Sequence, residues 1–278
     1  MSSKLTNPKD MVGVRKAPIS TVSTTALAEA AHAMAHLKHL RKAPVQASEA
    51  YDCAMSALLG WWEGAENFPL PQIHAIPTAM GALILLRHAL FLASSGQPGL
   101  YEDDRPRQGT FVPFYPQLND LAGKVIDTHA DKSPRHFTIT DSLHGSAAPA
   151  TTLSPDVMRS APWHLLPGPV VAELGVAMLE GASKYGRHNY RSAGVRASVY
   201  LDATIRHLFS WWSGEDIDPD SGLSHITKAV TSLTVLRDAQ VQGLFNDDRA
   251  PRAACFVELE TEPAPAPRTS TVVPLKTG

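Results

Sequence analysis

The sequence predicts an all-α fold in which a helical bundle occurs twice, with an irregular insert between the two copies. Ala- and Leu-rich segments with helical periodicity occur in two separate zones, and the same residues recur in both zones in the same order. Hydrophobic residues make up 44% of the 278 residues, which is enough to form a packed core. A chain of this length suits one large domain or two of ordinary size.

Shifts in composition divide the chain into five zones. Proline and glycine interrupt the helical pattern between the repeats, and the final segment is too rich in proline to continue a helix. The zones are a polar lead-in at 1–20, a degenerate helical repeat at 21–93, an irregular insert or linker at 94–161, a second helical repeat at 162–245 and a Pro-rich flexible tail at 246–278.

The two helical zones align with each other. An offset of 150 places Trp61-Trp62-x-Gly64 on Trp211-Trp212-x-Gly214 and Leu86-Arg87 on Leu236-Arg237. An offset of 144 places Ala28–Met34 on Ala172–Met178. Ordered matches of this kind do not readily arise by chance, so we predict an internal duplication whose copies pack as an intramolecular pseudo-dimer. The alternative is two unrelated sets of amphipathic helices that share a bias for alanine and leucine.

Charge and composition argue against several classes of partner. The net charge of −2 gives no reason to expect direct binding to nucleic acid or to a membrane surface. Apolar runs such as Ala79–Leu86 are too short to span a bilayer, and the polar first residues do not resemble a signal peptide. With only Cys53 and Cys255 present, we expect a cytoplasmic protein without a disulfide framework.

Acidic residues concentrate in the second repeat. Glu173 and Glu180 lie seven residues apart on one helix face, and Glu215-x-x-Asp218 follows the tryptophan pair. Neighbouring carboxylates repel one another unless a cation lies between them, and hard oxygen ligands favour Mg²⁺ or Mn²⁺. We therefore predict a metal site here, with Asp202 as a further candidate ligand. The alternative is a solvated acidic turn.

The first repeat has lost these acids. Ala65 aligns with Glu215, Asn67 with Asp218, and His36 with Glu180, while the apolar residues remain. Because the apolar frame is retained without the acids, we infer that the acids serve function and not folding.

Two segments of the second repeat, LEGASKYGRHNYR and RHLFSWWSGEDIDPDSGLSHITKA, resemble the phage-encoded dATP/dGTP diphosphohydrolase family, which belongs with the MazG-like all-α nucleotide pyrophosphohydrolases. The similarity covers about eighty residues and extends to the opening Asn7–Pro18. The doubled glutamate of the broader MazG pattern is absent, and Val199 precedes Asp202 where an E-x-x-D motif could have stood. The residues that carry the similarity are Gly181, Ala182, Lys184, Tyr185, Gly186, Asn189, Tyr190, Arg206, His207, Leu208, Gly214, Glu215, Asp218, Ser221, Gly222 and His225.

The resemblance implies hydrolysis of dGTP or dATP to the monophosphate and pyrophosphate in a bacterial cytoplasm, with Mg²⁺ or Mn²⁺ as cofactor and a purine deoxynucleoside triphosphate as partner. The predicted catalytic residues are Glu173, Glu180, Glu215 and Asp218, and the predicted metal ligands are these four with Asp202. The predicted substrate-binding residues are Lys184, Tyr185, Asn189, Arg206, His207, His225 and Lys228.

Several alternatives stay open at this point. Each histidine can be a structural group, Arg206 can simply pair with Asp202, and homo-oligomerisation is a further possibility. The alternative function is that of a non-catalytic nucleotide-binding protein or a phage interaction protein.

Overall fold

A computed structural model describes residues 16–106 and 155–250 of the chain. These residues are mostly helical, which confirms the predicted all-α class. The first half, residues 16–106, contains a short 3-10 helix at Ile19–Thr21 and three α-helices. Its helices are α1 (Thr24–His36), α2 (Ala47–Trp62) and α3 (Ala75–Ser94), and its strands are β1 (Val45–Gln46) and β2 (Tyr101–Glu102).

The second half, residues 155–250, repeats this order with two extra short helices. A 3-10 helix at Trp163–Leu165 precedes the first long helix, as Ile19–Thr21 does in the first half. The helices are α4 (Pro155–Ser160), α5 (Gly168–Tyr185), α6 (Tyr190–Ala193), α7 (Ala197–Trp212) and α8 (His225–Gln242), and the strands are β3 (Val195–Arg196) and β4 (Phe245–Asn246).

The two strand pairs have the same topology and the same place in each half. β1 pairs in parallel with β2, with Val45 opposite Tyr101, and β3 pairs in parallel with β4, with Val195 opposite Phe245. Each pair ties the start of one helix to the segment that follows the last long helix of the same half. The halves therefore correspond in three dimensions, whereas a duplication as their origin stays a prediction.

Helix α3 lies at the centre of the molecule. It contacts α1, α2 and α8, and buried residues from both halves form one continuous hydrophobic core. The helix is long and apolar enough to cross a membrane, with a mean hydropathy of 1.6, but 72% of that window is buried inside the protein. The long apolar stretch is thus explained by its place in a shared core.

Two reciprocal ion pairs, one buried and one partly buried, join the halves. Arg237 of α8 donates from Nε and Nη2 to the carboxylate of Glu29 in α1 at 2.7 and 2.6 Å. Arg87 of α3 donates from the same two atoms to Glu173 in α5 at 2.8 and 2.9 Å. The fork of the guanidinium matches the two carboxylate oxygens in both pairs, so each fixes the position of one half against the other.

The tryptophans at the ends of α2 and α7 contact aromatic residues of the opposite half. Trp61 and Trp211 are fully buried. Tyr51 of the first half stacks on Trp212 with ring centroids 4.5 Å apart, and Phe245 of the second half lies 6.0 Å from Trp61. Each pair therefore lies in the contact between the halves, which confirms their intramolecular packing.

The structure places three zone boundaries differently from the sequence prediction. Residues 94–106 complete the first half instead of belonging to the insert, because β2 pairs with β1. Residues 155–161 pack against α1, and residues 246–250 continue the second half beyond the predicted start of the tail. The remainder of the predicted lead-in, insert and tail lies at 1–15, 107–154 and 251–278, outside the described residues.

We expect Arg237→Ala to lower the free energy of unfolding by about 3 kcal/mol or more, because it leaves the carboxylate of Glu29 buried without its partner. Arg87→Ala should cost less, since the side chains of that pair are 18% and 22% exposed. Urea denaturation measures both changes.

Arg159→Ala is the control, because the side chains of Arg159 and its partner Asp156 are both 77% exposed. Its effect should stay within about 0.5 kcal/mol. Equal losses in Arg237→Ala and Arg159→Ala would show that the inter-half pair does not stabilise the fold.

Candidate active site

The candidate site begins with an extra turn at the end of α5. Helix α1 ends at His36, which corresponds to Glu180, whereas α5 continues to Tyr185. Gly186 ends the helix with a φ of 92°, which a residue with a side chain rarely adopts. The added turn places Lys184 and Tyr185 beyond the helix frame that the two halves share.

A pocket opens beside this turn. In the first half, Leu37 occupies the position that corresponds to Gly181 and is only 1% exposed. Gly181 leaves this space open, since a Cβ there would meet no atom within 4 Å. The pocket is lined by Thr21, Glu180, Gly181, Tyr185, Arg187, His188, Asn189, Tyr190, Tyr200, Lys228 and Thr231, among others.

The 3-10 helix of the first half supplies part of the pocket wall. Thr21 lines the pocket, and the hydroxyl of Ser20 accepts a hydrogen bond from Arg187 Nη2 at 2.8 Å. The backbone of Pro18 and Ile19 passes close to Gly175 of α5, where a Cβ would lie 3.2 Å from it. The absence of a side chain at Gly175 is thus what lets the first half reach the pocket of the second.

Two lysines bind the carboxylate of Glu180 at the edge of the pocket. Lys228 Nζ lies 2.8 Å from Glu180 Oε2, and Lys184 pairs with the other oxygen. Burial alone would raise the pKa of Glu180, but the hydrogen bonds from Lys184 and Lys228 lower it overall. Glu180 is therefore ionised at neutral pH.

The acidic turn that follows α7, residues 213–224, is held together by backbone hydrogen bonds within the turn. Gly214, with a φ of 103°, ends the helix, and the N–H of Asp218 donates to the carbonyl of Leu223 at 2.8 Å. The hydroxyl of Ser221 donates to Asp218 Oδ2 at 2.5 Å. Burial raises the pKa of Asp218, but this hydrogen bond and the nearby His207 lower it overall. Asp218 is thus a buried carboxylate.

A chain of hydrogen bonds links Glu215 to two histidines. Glu215 Oε2 lies 3.0 Å from His225 Nε2, and His225 Nδ1 lies 2.9 Å from His207 Nδ1. The carboxylate of Glu215 can only accept, so His225 donates to it from Nε2–H. In this tautomer of His225, Nδ1 carries no proton and acts as an acceptor. His207 then donates from Nδ1 and keeps a lone pair on Nε2. We assign these tautomers from the network.

His207 is held in its neutral form. Burial, and to a smaller extent the neighbouring His225, lower its pKa to about 4. A neutral imidazole with a free Nε2 lone pair can accept a proton or bind a cation. Both predicted histidines therefore join the acidic turn to α7 and α8.

The structure places three predicted residues apart from this cluster. Glu173 is bound by Arg87 in the inter-half ion pair described above, so its position is explained by packing. Asp202 and Arg206 are exposed on α7 and do not pair with each other, contrary to the i,i+4 alternative. Tyr185 is 71% exposed at the pocket rim, and Asn189 lines the pocket.

The carboxylates do not form a closed metal cage. Within residues 16–106 and 155–250, no three His, Cys, Asp or Glu side chains converge as a metal site. Each acid instead has a partner in the chain: two lysines for Glu180, a histidine for Glu215 and a hydroxyl for Asp218. The donor atoms are nonetheless hard oxygens, the type that Mg²⁺ binds.

The backbone corrects one residue of the sequence alignment between the halves. The N–H of Ala75 donates to the carbonyl of Glu66, as the N–H of His225 donates to that of Asp216. This constant offset of 150 places Phe68, and not Asn67, at the position of Asp218. The first half therefore carries an aromatic side chain where the second carries an acid.

Sequence reasoning missed the buried Asp238 and its partners next to the pocket. Arg191 donates to both oxygens of Asp238 at 2.7 and 2.8 Å, and Ser23 of the first half donates to Asp238 Oδ1 at 2.7 Å. It also missed the repeated Asp-Asp-Arg at 103–105 and 247–249, although the recurrence at an offset of 144 was available as a signal.

The pKa of His207 predicts a pH dependence of stability. Unfolded His207 takes up a proton near pH 6.5, whereas the folded residue does so only near pH 4. The unfolded state binds more protons between these values, so stability falls as pH decreases from 6.5 to 4. His207→Gln should reduce that loss, by at most about 3 kcal/mol.

Denaturation curves at pH 7 and pH 4.5 measure this effect. His164→Gln, a substitution at an exposed histidine, should follow the wild type. If the stability of His207→Gln falls as steeply as that of the wild type, the assignment of a neutral buried imidazole is wrong.

Comparisons with known proteins gave a match in the second half of the chain. Searches of curated proteins and of solved structures returned no match. Residues 155–249 match the family described as dATP/dGTP diphosphohydrolase, N-terminal. The matched segment contains α4 to α8, the pocket and the acidic turn. The second half of the chain is therefore similar to the dATP/dGTP diphosphohydrolase family, whose name denotes a hydrolase acting on nucleotides.

Proposed function

We propose that the second half hydrolyses dGTP or dATP to the monophosphate and pyrophosphate, with Mg²⁺ or Mn²⁺ as cofactor. The observation that carries this proposal is the adjacency of a tyrosine-lined pocket, two lysines and ionised carboxylates in the segment that matches the family. A nucleoside, a phosphate chain and a hard cation each find side chains of suitable chemistry there.

The pocket suits the nucleoside. Tyr185, Tyr190 and Tyr200 contribute aromatic surface, against which a purine can stack, and Asn189 contributes an amide. Nδ1 of His188 is buried without a hydrogen-bond partner among the described residues. Because a buried polar atom without a partner is costly, a polar atom of the substrate at this point would be favoured.

The two lysines suit the phosphate chain. Lys184 and Lys228 meet at Glu180, on the edge of the pocket that faces the acidic turn. The ammonium of Lys228 stands there as a cation beside a carboxylate and close to Asp218 and His207, whose pKa values it affects. Phosphate oxygens can replace Glu180 as the charge-assisted acceptors of hydrogen bonds from these lysines, which would free the carboxylate of Glu180.

The acidic side chains suit a cation that is shared with the substrate. Mg²⁺ commonly binds through one or two carboxylates together with substrate phosphates, so a closed protein cage is not required. Glu215, Asp218 and the freed Glu180 are the candidate ligands, of which one or two would hold it together with phosphate oxygens. Glu173 stays with Arg87, and Asp202 remains the outlying candidate. A bound Mg²⁺ would neutralise phosphate charge and lower the pKa of a coordinated water.

Side chains of the protein would accept the proton of the attacking water. His207, with a free Nε2, can accept it from the attacking water, and Glu215 steadies the imidazole pair through His225. No serine or cysteine nucleophile is needed, because phosphoryl chemistry depends mainly on positioning and charge stabilisation. A panel of deoxynucleoside triphosphates with Mg²⁺ or Mn²⁺ tests the proposal. Binding without turnover would instead favour a nucleotide-binding protein.

We expect Glu215→Gln to reduce pyrophosphate release at least about 100-fold, because the amide lacks the negative charge that would bind the cation. The melting temperature without metal should change by only a few degrees. Glu63→Gln, at an exposed position at the end of α2, is the control and should keep wild-type turnover. Near-normal turnover in Glu215→Gln would refute the role of this residue.

Gly181→Leu should close the pocket, because a leucine at the corresponding position 37 is buried in the first half. Nucleotide affinity, measured by calorimetry, should fall at least about tenfold while the melting temperature is retained, since the space at Gly181 is empty. Ser183→Leu places the same side chain on the exposed face of the same turn and should leave affinity unchanged. Unchanged affinity in Gly181→Leu would locate the nucleoside elsewhere.

A further inference from the structure

Arg105 of the first half reaches the acidic turn of the second half. It follows β2, and its side chain is only 9% exposed. The carboxylate of Asp103 binds Nε and Nη2 of the guanidinium at 2.8 Å each, and the guanidinium carbon lies 4.3 Å from the ring centroid of Trp211. Two carboxylate contacts and one stacking contact fix the plane of this group.

The remaining nitrogen of Arg105 makes both contacts with the turn. Nη1 donates to the carbonyl of Trp211 at 2.7 Å and to Asp216 Oδ1 at 2.8 Å. These two acceptors lie on either side of Gly214 and Glu215 in the chain. Because the side chain of Asp216 is 60% exposed, the buried carbonyl contact and the stacking contribute most of the restraint.

Asp216 connects the contacts of Arg105 to His225 of the candidate site. Its backbone carbonyl accepts a hydrogen bond from the N–H of His225 at 3.1 Å. Glu215 is covalently bound to Asp216 and contacts the imidazole of the same histidine. Movement of Asp216 would therefore displace both ends of the contact between Glu215 and His225.

Arg249 of the second half makes the corresponding contacts with the turn after α2 in the first half. Arg249 stacks over Trp61 at 4.4 Å and donates to the Trp61 carbonyl and to Glu66, both at 2.7 Å. The turn that Arg249 holds has Ala65 and Phe68 where the other turn has acids. An arginine that stacks on a tryptophan and binds the following turn is thus an element of the fold in both halves. Of these two turns, the one that Arg105 contacts carries the predicted site residues Glu215 and Asp218.

We propose that Arg105 is a positioning residue for the candidate site: it does not contact the substrate, but it sets the place of Glu215 through the backbone of the turn. The catalytic part of this inference rests on the proposed nucleotide hydrolysis. The structural part does not, since the contacts of Arg105 exist without any ligand. The first half then contributes to the site through a residue that lies outside the repeat boundaries predicted from the sequence.

The test compares Arg105→Ala with the corresponding variant Arg249→Ala in the full chain. Amide hydrogen exchange without ligand should accelerate at least about tenfold in residues 213–223 of Arg105→Ala and in residues 63–73 of Arg249→Ala. Asp216→Asn, which keeps the stacking on Trp211, should accelerate exchange at 213–223 to a smaller extent and serves if Arg105→Ala does not fold.

Kinetics then separate positioning from stability. Kinetics are measured at temperatures below the unfolding transitions of both variants. There kcat of Arg105→Ala should fall about 10- to 100-fold and KM should change less, because misplaced groups reduce the rate of the chemical step. The Mg²⁺ concentration for half-maximal activity should rise. Arg249→Ala should stay within about threefold of the wild type. Equal losses in both variants, or normal kcat in Arg105→Ala despite faster exchange, would overturn the catalytic part.

A wild type that hydrolyses no nucleotide would refute the proposed function alone. The exchange pattern would then still decide whether Arg105 orders the turn: selective acceleration at 213–223 supports this role, and its absence overturns it.

Discussion

The packing of α3 against α8 is the constraint on which the rest of the structure depends. Helix α3 is buried over most of its length, and α8 buries residues such as Leu233 and Leu236 completely in the same core. Neither half can cover this apolar surface by itself, so each half uses the other as its missing layer. The reciprocal contacts of Glu29 with Arg237 and of Glu173 with Arg87 follow from that arrangement, because both arginines lie on these two helices.

A shared frame allows one half to change without loss of the fold. The residues that hold the halves together recur in both: the tryptophans, the stacked arginines and the glutamates of the ion pairs. Several residues of the candidate site do not: Lys184 and Tyr185 lie on the added turn of α5, and Glu215 and Asp218 lie on the loop after α7. Replacement of Leu37 by its counterpart Gly181 is enough to open space at the surface of an otherwise common structure.

Compensation within the chain explains how the site tolerates its own charge. Glu180 is neutralised by Lys184 and Lys228, and Asp218 by a hydroxyl hydrogen bond and nearby positive charge. These partners favour the ionised form of the acids without any ligand, and in the proposed function a substrate or cation would replace them. The cost of holding carboxylates close together is thereby kept low in the unliganded protein.

The sequence by itself determined the helical class, the correspondence between the zones and the segment that carries the site. Periodic apolar residues and a specific run of motif residues are local signals, and both can be read without coordinates. It also predicted Glu180, Glu215, Asp218, His207, His225 and Lys228 as site residues, because acids and bases beside a Gly-bounded turn form a local pattern. The structure brings them into two hydrogen-bonded groups, and their role in catalysis stays a prediction.

Only the tertiary structure decided how these groups are shared between the halves. Glu173 and Glu180 occupy one face of α5, yet the first pairs with Arg87 across the core and the second with lysines at the pocket. Spacing along a helix fixes direction, but it does not determine which distant side chain arrives opposite. The contact of Arg105 with the acidic turn, 111 residues away from Asp216 in the chain, was invisible for the same reason: it results from the packing of two halves, which no local pattern records.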